Sequence, residues 1–172
     1  MTVLQTITYD DFERALRDDV YYKDRWDSYL CCACELAQTV APQSVLELGP
    51  HRLPLFPGGD TIDFRAANKP TLVHDAANTP WPVESDRYYD LFVSLHVWEH
   101  LGDRQQDAFR EVQRVARFAL LSIPYRWDVP DRPHHHMIDR EIIDMWCCGV
   151  KPIREELRGS PIRRRLLRLF DF

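Results

Sequence analysis

The sequence lacks the features that mark several large classes of protein. It has no apolar run of the roughly 18 residues that a membrane helix needs, and it begins with neither a basic region nor an apolar stretch typical of a secretion signal. Its formal net charge is −5, so its surface as a whole does not attract phosphate backbones. These absences disfavour membrane and nucleic-acid partners, and they indicate a cytoplasmic protein that acts on a small molecule.

Cysteine patterns typical of metal sites are sparse. The five cysteines lie in two tight groups, at positions 31–34 and 147–148, and do not form the two separated CxxC pairs of structural zinc sites. A metal site would require the fold to bring Cys31 and Cys34 to the histidine run at positions 134–136. Reduced, mostly buried thiols are the simpler interpretation, and the sequence therefore predicts no metal.

The chain does have enough apolar content for one domain, since 45% of its 172 residues are hydrophobic. Apolar runs with strand character alternate with helical patterns, which predicts a single α/β domain over residues 1–172. We expect helices in 1–42, followed by two further parts, 43–125 and 126–172. The predicted fold is a seven-stranded, mostly parallel sheet with helices on both faces and an antiparallel C-terminal hairpin.

The individual elements follow from apolar spacing and from the residues that end them. The predicted helices span residues 10–16, 23–40, 103–117 and 139–148. The predicted strands span residues 45–48, 61–64, 71–74, 91–95, 118–123, 153–157 and 166–172.

Polar or small residues follow the first four predicted strands. Gly49 follows the first, Asp63 ends the second, Asp75 follows the third, and Leu95 and His96 close the fourth. Ligands of open parallel sheets bind outside the carboxyl ends of the strands. A glycine lets backbone approach a ligand closely, and carboxylates accept hydrogen bonds from ribose hydroxyls or an adenine amino group. This ordered set predicts a nucleoside-binding edge.

The segment after the first strand indicates which nucleoside cofactor is bound. Residues 51–59, HRLPLFPGG, are too rich in proline and glycine for the usual long helix, and the chain has no GxGxxG. Dinucleotides rest their pyrophosphate on such a glycine-rich turn. A cofactor without phosphate is therefore favoured, and S-adenosylmethionine fits, because its sulfonium suits carboxylates and aromatic faces.

Four segments, in chain order, resemble the motifs of small class I S-adenosylmethionine-dependent methyltransferases. They are VLELGP from Val45, PLFPGGDTIDF, VHDAANTPWPVESDRYYDLFVSLHVWEHL and REVQRVARFALLSIPY, and the resemblance covers residues 45–125. It implies a Rossmann-like fold and a methyl transfer to a small-molecule or sugar-like acceptor. It also implies that residues 43–125 are the cofactor-binding half and residues 126–172 the acceptor side.

The resemblance also implies roles for individual residues. Glu47 and Gly49 belong to the first cofactor motif, Asp63 would hold the ribose, and Asp75 would hold the adenine. The full set expected at the cofactor is Glu47, Gly49, Pro50, Asp63, Phe64, Asp75, Ala76, Leu95 and His96.

Two departures from the family pattern favour a rival prediction. The family has further glycines where this chain has Pro50, His51 and Arg52, and a Pro-Gly-Gly turn where it has residues 115–118, VARF. A catalytically silent methyltransferase-like domain, acting as a binding or assembly module, would tolerate these changes. A nicotinamide-dependent oxidoreductase is a third interpretation, which the missing phosphate cradle disfavours.

Histidines are the candidate catalytic groups, because an oxygen nucleophile of high pKa benefits from a base that titrates near neutrality. His96 and the run His134, His135 and His136 are the candidates. The run follows the fifth strand, where methyltransferases of this class commonly build the acceptor pocket. We expect Trp127 and His135 to contact the acceptor.

Other conspicuous residues have simpler interpretations. Glu99 and His100 fit a helix start in which they cap or pair locally. The arginines near the C-terminus fit a solvated strand face, with binding of an anionic substrate, nucleic acid or an acidic partner as the alternative. They occupy positions 154, 158, 163, 164, 165 and 168.

Overall fold

The computed structural model describes residues 2–16, 18–20, 22–84, 86 and 88–172. Its helices are α1 (Tyr9–Leu16), α2 (Cys31–Gln38), α3 (Gln105–Val115) and α4 (Arg140–Trp146). Shorter helical turns span Trp26–Leu30, Ala66–Asn68 and Trp98–His100. Its strands are β1 (Val45–Leu48), β2 (Asp60–Asp63), β3 (Leu72–Val73), β4 (Tyr89–Leu95), β5 (Ala116–Pro124), β6 (Arg154–Arg158) and β7 (Arg165–Asp171).

The strands form one seven-stranded sheet in the order β3-β2-β1-β4-β5-β7-β6. The five strands from β3 to β5 are parallel to one another. Strand β7 is antiparallel to both β5 and β6, so the C-terminal pair is an antiparallel hairpin. The predicted seven-stranded, mostly parallel α/β sheet is therefore confirmed.

Side chains on successive strand positions pack into two hydrophobic clusters. Leu46 and Phe92 belong to one cluster together with Phe109 of α3, and all three are fully buried. Val45 and Leu91 belong to the other, which also contains Cys32, Ala33, Leu36 and Ala37 of α2. Because all four residues of β1 are buried, its short apolar run is explained by burial from both sides.

The predicted helix over residues 23–40 is helical from Arg25 to Gln38, but its beginning is not a regular α-helix. Asp24 has a left-handed backbone, with φ of 63°, which an α-helix cannot accommodate. A π-helical turn follows at Trp26–Leu30, and regular α-helix begins only at Cys31. Tyr29 and Leu30 of this turn are buried in the core.

The helix predicted over residues 103–117 ends at Val115 in the structure, two residues earlier than predicted. Ala116 is already extended and pairs with Tyr89 at the beginning of β4. Strand β5 therefore takes Ala116 and Arg117, which the helical pattern alone could not exclude.

Two of the C-terminal arginines are buried, which corrects the prediction of a solvated strand face. Arg165 is 7% exposed and Arg168 is 3% exposed. Arg168 donates to Asp144 of α4 at 2.6 Å and to Glu155 of β6 at 2.8 Å. The C-terminal hairpin thus holds an internal ion-pair network with α4.

The five cysteines are free thiols, and Cys32, Cys34 and Cys147 are buried, as the sequence indicates. Among the helices in the described ranges, none combines the length and apolar character that crossing a bilayer requires.

Candidate active site

The chain order of the strands creates a switch point beside β1. From β1 the chain moves outward through β2 to β3, and it then returns to place β4 on the other side of β1. The carboxyl ends of β1 and β4 are where ligands of such sheets bind. A pocket of about 460 Å³ lies at this point, and its walls include the segments that follow β1, β2, β3 and β4.

Gly49 ends β1 in a conformation that suits glycine. Its φ is +60°, and its N–H donates to the carbonyl of Ile62 in β2 at 2.9 Å. A Cβ added here would lie 2.9 Å from Cγ2 of Val97, which follows β4. The missing side chain therefore lets the loops after β1 and β4 approach each other at the pocket.

Glu47 is a buried carboxylate in the pocket wall. Its Oε2 accepts a hydrogen bond from the Leu55 N–H at 2.6 Å, and the residue is 3% exposed. Burial raises its pKa to about 8, against the opposing effect of hydrogen bonds from the Leu55 and Phe56 backbone. A cation bound in the pocket would favour its charged form.

Two further carboxylates lie at the ends of β2 and β3. Asp63 is buried, accepting from the Arg65 N–H at 2.8 Å and from Asn68 Nδ2 at 2.7 Å. Asp75 is exposed and accepts from the Ala77 N–H at 3.0 Å. These local bonds fix both carboxylates in place at the rim of the pocket.

The N-terminal segment forms another part of the wall. Phe12 and Leu16 of α1, together with Tyr22 and Tyr29, line the pocket. The segment is attached to the loop after β1 by the Ile7 N–H, which donates to the carbonyl of Leu55 at 2.9 Å. Tyr22 Oη also lies 2.9 Å from His51 Nδ1. The pocket is thus built from the N-terminal segment as well as from the loops that follow the strands.

His96 stands at the end of β4, where its backbone is left-handed, with φ of 63°. Its N–H donates to the carbonyl of Ser122 in β5, and its side chain is 7% exposed. A non-glycine residue in this region is strained, and such strain clusters at functional sites. Burial, followed by the positive charge of Arg165, holds its pKa well below the ordinary value, so the imidazole is neutral.

Glu99 lies behind His96 with a fully buried side chain. Its Oε1 is 3.2 Å from His96 Nδ1 and 3.5 Å from His135 Nε2, yet neither carboxylate oxygen has a hydrogen bond of acceptable geometry. Burial raises the pKa of Glu99 to about 7, while nearby His100, His135 and Arg165 oppose that rise. The predicted local pairing of Glu99 is found with His96, three residues before it, and His135 adds a contact from a distant segment.

His135 is held in this cluster by aromatic contacts. Its ring stacks on Trp127 with centroids 5.7 Å apart and an angle of 10°, and it meets the ring of His100 edge-on at 4.9 Å. Burial lowers the pKa of His135. The ring of His134 lies 5.8 Å from that of His100. His136 points elsewhere, since its Nδ1 accepts from the Val129 N–H at 3.2 Å.

Arg165 reaches this cluster from β7, which lies two strands away from β4 in the sheet. Its Nε donates to His96 Nε2, and its guanidinium carbon lies 4.5 Å from the Tyr29 ring centroid and 5.2 Å from that of Trp127. Two aromatic faces therefore hold a buried cation beside the pocket. Burial lowers the pKa of Arg165.

Comparison with solved structures identifies the architecture. An N-methyltransferase, NodS, from Bradyrhizobium japonicum WM9 is 16% identical with a TM-score of 0.64, over 91% of this chain and 98% of that chain. An S-adenosylmethionine-dependent methyltransferase from Clostridium acetobutylicum ATCC 824 is 12% identical with a TM-score of 0.64, over 94% and 96%. One from Aquifex aeolicus is 12% identical with a TM-score of 0.55, over 95% and 99%.

The chain has the class I methyltransferase fold. The similarity is one of structure, because no protein-family model and no curated protein matches the sequence.

The methyltransferase fold brings together the residues that the sequence assigns to the cofactor. All nine line the pocket: Glu47, Gly49, Pro50, Asp63, Phe64, Asp75, Ala76, Leu95 and His96. Their contact with a cofactor stays a prediction. Of the proposed acceptor residues, Trp127 and His135 lie against His96 and Glu99 rather than in the pocket wall. Sequence reasoning missed Glu99, Arg165 and Tyr29, and only the spacing of His96 and Glu99 in HVWEH offered a signal.

Proposed function

We propose that the protein is an S-adenosylmethionine-dependent methyltransferase that acts on a small-molecule or sugar-like acceptor. The observation that carries this proposal is the pocket at the switch point of a methyltransferase fold, with Glu47, Asp63 and Asp75 in its wall. The pocket volume of about 460 Å³ falls within the range of about 300–1,000 Å³ typical of small-ligand sites.

The residues of the pocket fit this cofactor. Three carboxylates in the wall suit a ligand that carries an ammonium and a sulfonium. Asp63 would accept hydrogen bonds from the ribose hydroxyls, and Asp75 from the adenine amino group. Gly49 would let the backbone after β1 lie close to the ligand, because no Cβ fills the space beside Val97.

When bound, S-adenosylmethionine supplies an electrophilic methyl group on a sulfonium, open to attack in line with the leaving sulfur. The protein then acts mainly by positioning the acceptor. Holding the acceptor in line and excluding water lowers the activation barrier by about 7–11 kcal/mol in well-oriented reactions. Phe12, Leu16 and Tyr29 of the N-terminal segment would exclude water from the cofactor side of the pocket.

The acceptor would lie on the side of His96. His96 lines the pocket beside Glu99 and His135, and its Nε2 would take the proton that an oxygen nucleophile loses once Arg165 turns away from it. Trp127 and His135 would form the wall against which the acceptor packs. The histidine run would contribute through His134 and His135, while His136 would support the loop.

We also infer that the chain is divided as the sequence suggests. Residues 1–42 would cover the cofactor, residues 43–125 would bind it, and residues 126–172 would form the acceptor side. Helices would cover both faces of the sheet, because α2 packs in the cluster of Val45 and α3 in the cluster of Leu46.

Calorimetric titration with S-adenosylmethionine and with S-adenosylhomocysteine tests the proposal. We expect saturable binding of one molecule per chain, weakened at least about tenfold in Asp63→Ala and in Asp75→Ala, since each loses a charged hydrogen-bond acceptor. Asp171→Ala is the matched control. Asp171 is exposed and pairs with Phe118 at the beginning of β5, at the opposite edge of the sheet from the pocket.

Absence of binding by the wild-type protein, under conditions in which it is folded, would overturn the proposal. That outcome would favour the catalytically silent module, whose first motif is poor in glycine. Selective binding of NAD instead would favour the oxidoreductase interpretation.

A further inference from the structure

We propose that His96, Glu99 and His135 form a binding site for a divalent transition-metal ion or zinc, at the wall between the cofactor pocket and the acceptor side. Among the residues that the structure describes, this is the group of histidine, cysteine and acidic side chains whose ligand atoms converge, all within 4.8 Å of one another. Ion binding itself is independent of the methyl transfer proposed above, whereas the role of the ion in catalysis rests on that proposal.

The distances fit coordination of one ion. Glu99 Oε1 lies 3.2 Å from His96 Nδ1 and 3.5 Å from His135 Nε2. Two ligand atoms that each lie about 2.1 Å from a tetrahedral ion are separated by roughly 3.4 Å. Glu99 therefore lies at the separation that a shared ion requires from each of the two histidines.

The carboxylate of Glu99 supplies an independent reason for an ion. Its side chain is 0% exposed, and neither Oε1 nor Oε2 makes a hydrogen bond. A buried carboxylate that makes no hydrogen bond is costly, and natural proteins satisfy such groups or use them to bind metals. The carboxylate faces two imidazole nitrogens at ion-pair distance but without hydrogen-bond geometry. This arrangement is expected of ligands that share a cation.

The three ligands are held by rigid parts of the fold. His96 follows the buried strand β4, and its N–H is bonded to Ser122 of β5. Glu99 sits in the helical turn Trp98–His100, and His135 is fixed by its stack on Trp127. Two segments that lie far apart in the chain thus meet at one point, which preorganises the site.

The ligand set selects the kind of ion. Two imidazoles and one carboxylate suit zinc, iron, cobalt, nickel or manganese, whereas magnesium and calcium prefer oxygen ligands throughout. Three protein ligands leave a coordination position for water or substrate. An acceptor hydroxyl bound there would have a lowered pKa, and its proton would pass to solvent or to a nearby base.

Arg165 is the group that competes with the ion. Its Nε donates to His96 Nε2, so neutral His96 carries its proton on Nδ1, the atom that would bind the metal. Coordination through Nδ1 moves the proton to Nε2 and requires Arg165 to turn away. Replacement of Arg165 by glutamine would instead place a carbonyl oxygen where it can accept from the Nε2–H of His96. This is the usual arrangement behind a metal-bound histidine.

The test is titration of chelator-treated protein without S-adenosylmethionine. Binding of Co²⁺ is monitored through its ligand-field absorption, and binding of Zn²⁺ is measured by calorimetry. We expect one ion per chain. Glu99→Gln and His135→Ala should each weaken binding at least about 100-fold, since removal of a ligand costs more than the 10–100-fold loss typical of its supporting partners. His136→Ala is the matched control in the same histidine run and should change affinity less than about twofold, because its ring contacts Val129 instead.

Arg165→Gln should bind Co²⁺ at least as tightly as the wild type. Circular dichroism and thermal unfolding of each variant separate loss of the site from loss of the fold. Binding that survives in both Glu99→Gln and His135→Ala, or no saturable binding by the wild type, would overturn the metal site. Metal binding and S-adenosylmethionine binding are measured separately, so either proposal can fail while the other stands.

Discussion

At the scale of single residues, Gly49 combines a left-handed backbone with a close neighbour. An alanine here would be strained at φ of +60° and would place its Cβ 2.9 Å from Val97. We expect Gly49→Ala to lower the free energy of unfolding by about 1–3 kcal/mol and to weaken cofactor binding. Urea denaturation and calorimetry measure the two effects.

Gly102→Ala separates backbone strain from crowding. Gly102 has a similar φ of +68°, but nothing lies within 4 Å of the added Cβ. This variant should lose stability through strain alone and bind S-adenosylmethionine like the wild type. Equal cofactor affinity in the two variants would show that the close approach at Gly49 has no part in binding.

Glu47 makes stability depend on pH in a defined direction. Its pKa in the folded protein is about 8, above the ordinary value of 4.5, so the folded state holds a proton that the unfolded state releases. The contribution is fully present below pH 4.5 and is lost as pH rises towards 8. Between pH 6 and pH 8 we expect it to fall by about 2 kcal/mol.

Urea denaturation of the wild type and of Glu47→Gln at these two pH values isolates this contribution. The glutamine keeps an oxygen that can accept from the Leu55 N–H, but it does not titrate. The wild type should therefore lose more stability than the variant on going from pH 6 to pH 8. The same pH dependence in both proteins would assign the effect to other groups.

At the scale of elements, the C-terminal hairpin depends on one buried cation. Arg168 joins β7 to Asp144 of α4 and to Glu155 of β6, and it is 3% exposed. Removing one partner of a buried charge network costs about 3–5 kcal/mol. We expect Arg168→Met to lose about 3 kcal/mol in chemical denaturation, discounted because the two carboxylates are partly exposed.

Arg154→Met is the control for this prediction. Arg154 is an exposed residue of β6, opposite Leu169 in the same hairpin. Its replacement should change stability by less than about 0.5 kcal/mol. A similar loss in both variants would mean that the arginines stabilise the hairpin by general charge and not through this network.

Elements were predictable where burial alone determines them. Strands β1 and β4 are mostly apolar and mostly buried, and their positions follow from the sequence. The backbone between residues 23 and 30 was not predictable in this way. A left-handed Asp24 and a π-helical turn leave the apolar spacing of a helix unchanged. The end of α3 was set by the pairing of Ala116 with Tyr89, which is a tertiary contact.

At the scale of the whole molecule, the sequence predicts the pocket residues better than it predicts the cluster of His96, Glu99, His135 and Arg165. The rule that ligands bind beyond the carboxyl ends of parallel strands was enough to bring Gly49, Asp63 and Asp75 to one pocket. The contact between Arg165 and His96 joins residues 69 positions apart, and it depends on β7 lying beside β5. No local pattern encodes that placement.

Amide hydrogen exchange with and without saturating S-adenosylmethionine tests the central claim most directly, because it reports both binding and its location. We expect slower exchange in the segments at the carboxyl ends of the strands, 48–50, 63–65 and 95–97, and in the pocket-lining part of the N-terminal segment, residues 7–16. The ends of β6 and β7 at Arg154 and Asp171 should be unchanged. Unaltered exchange throughout, or protection confined to surfaces away from this pocket, would contradict the assignment of a methyl-donor site.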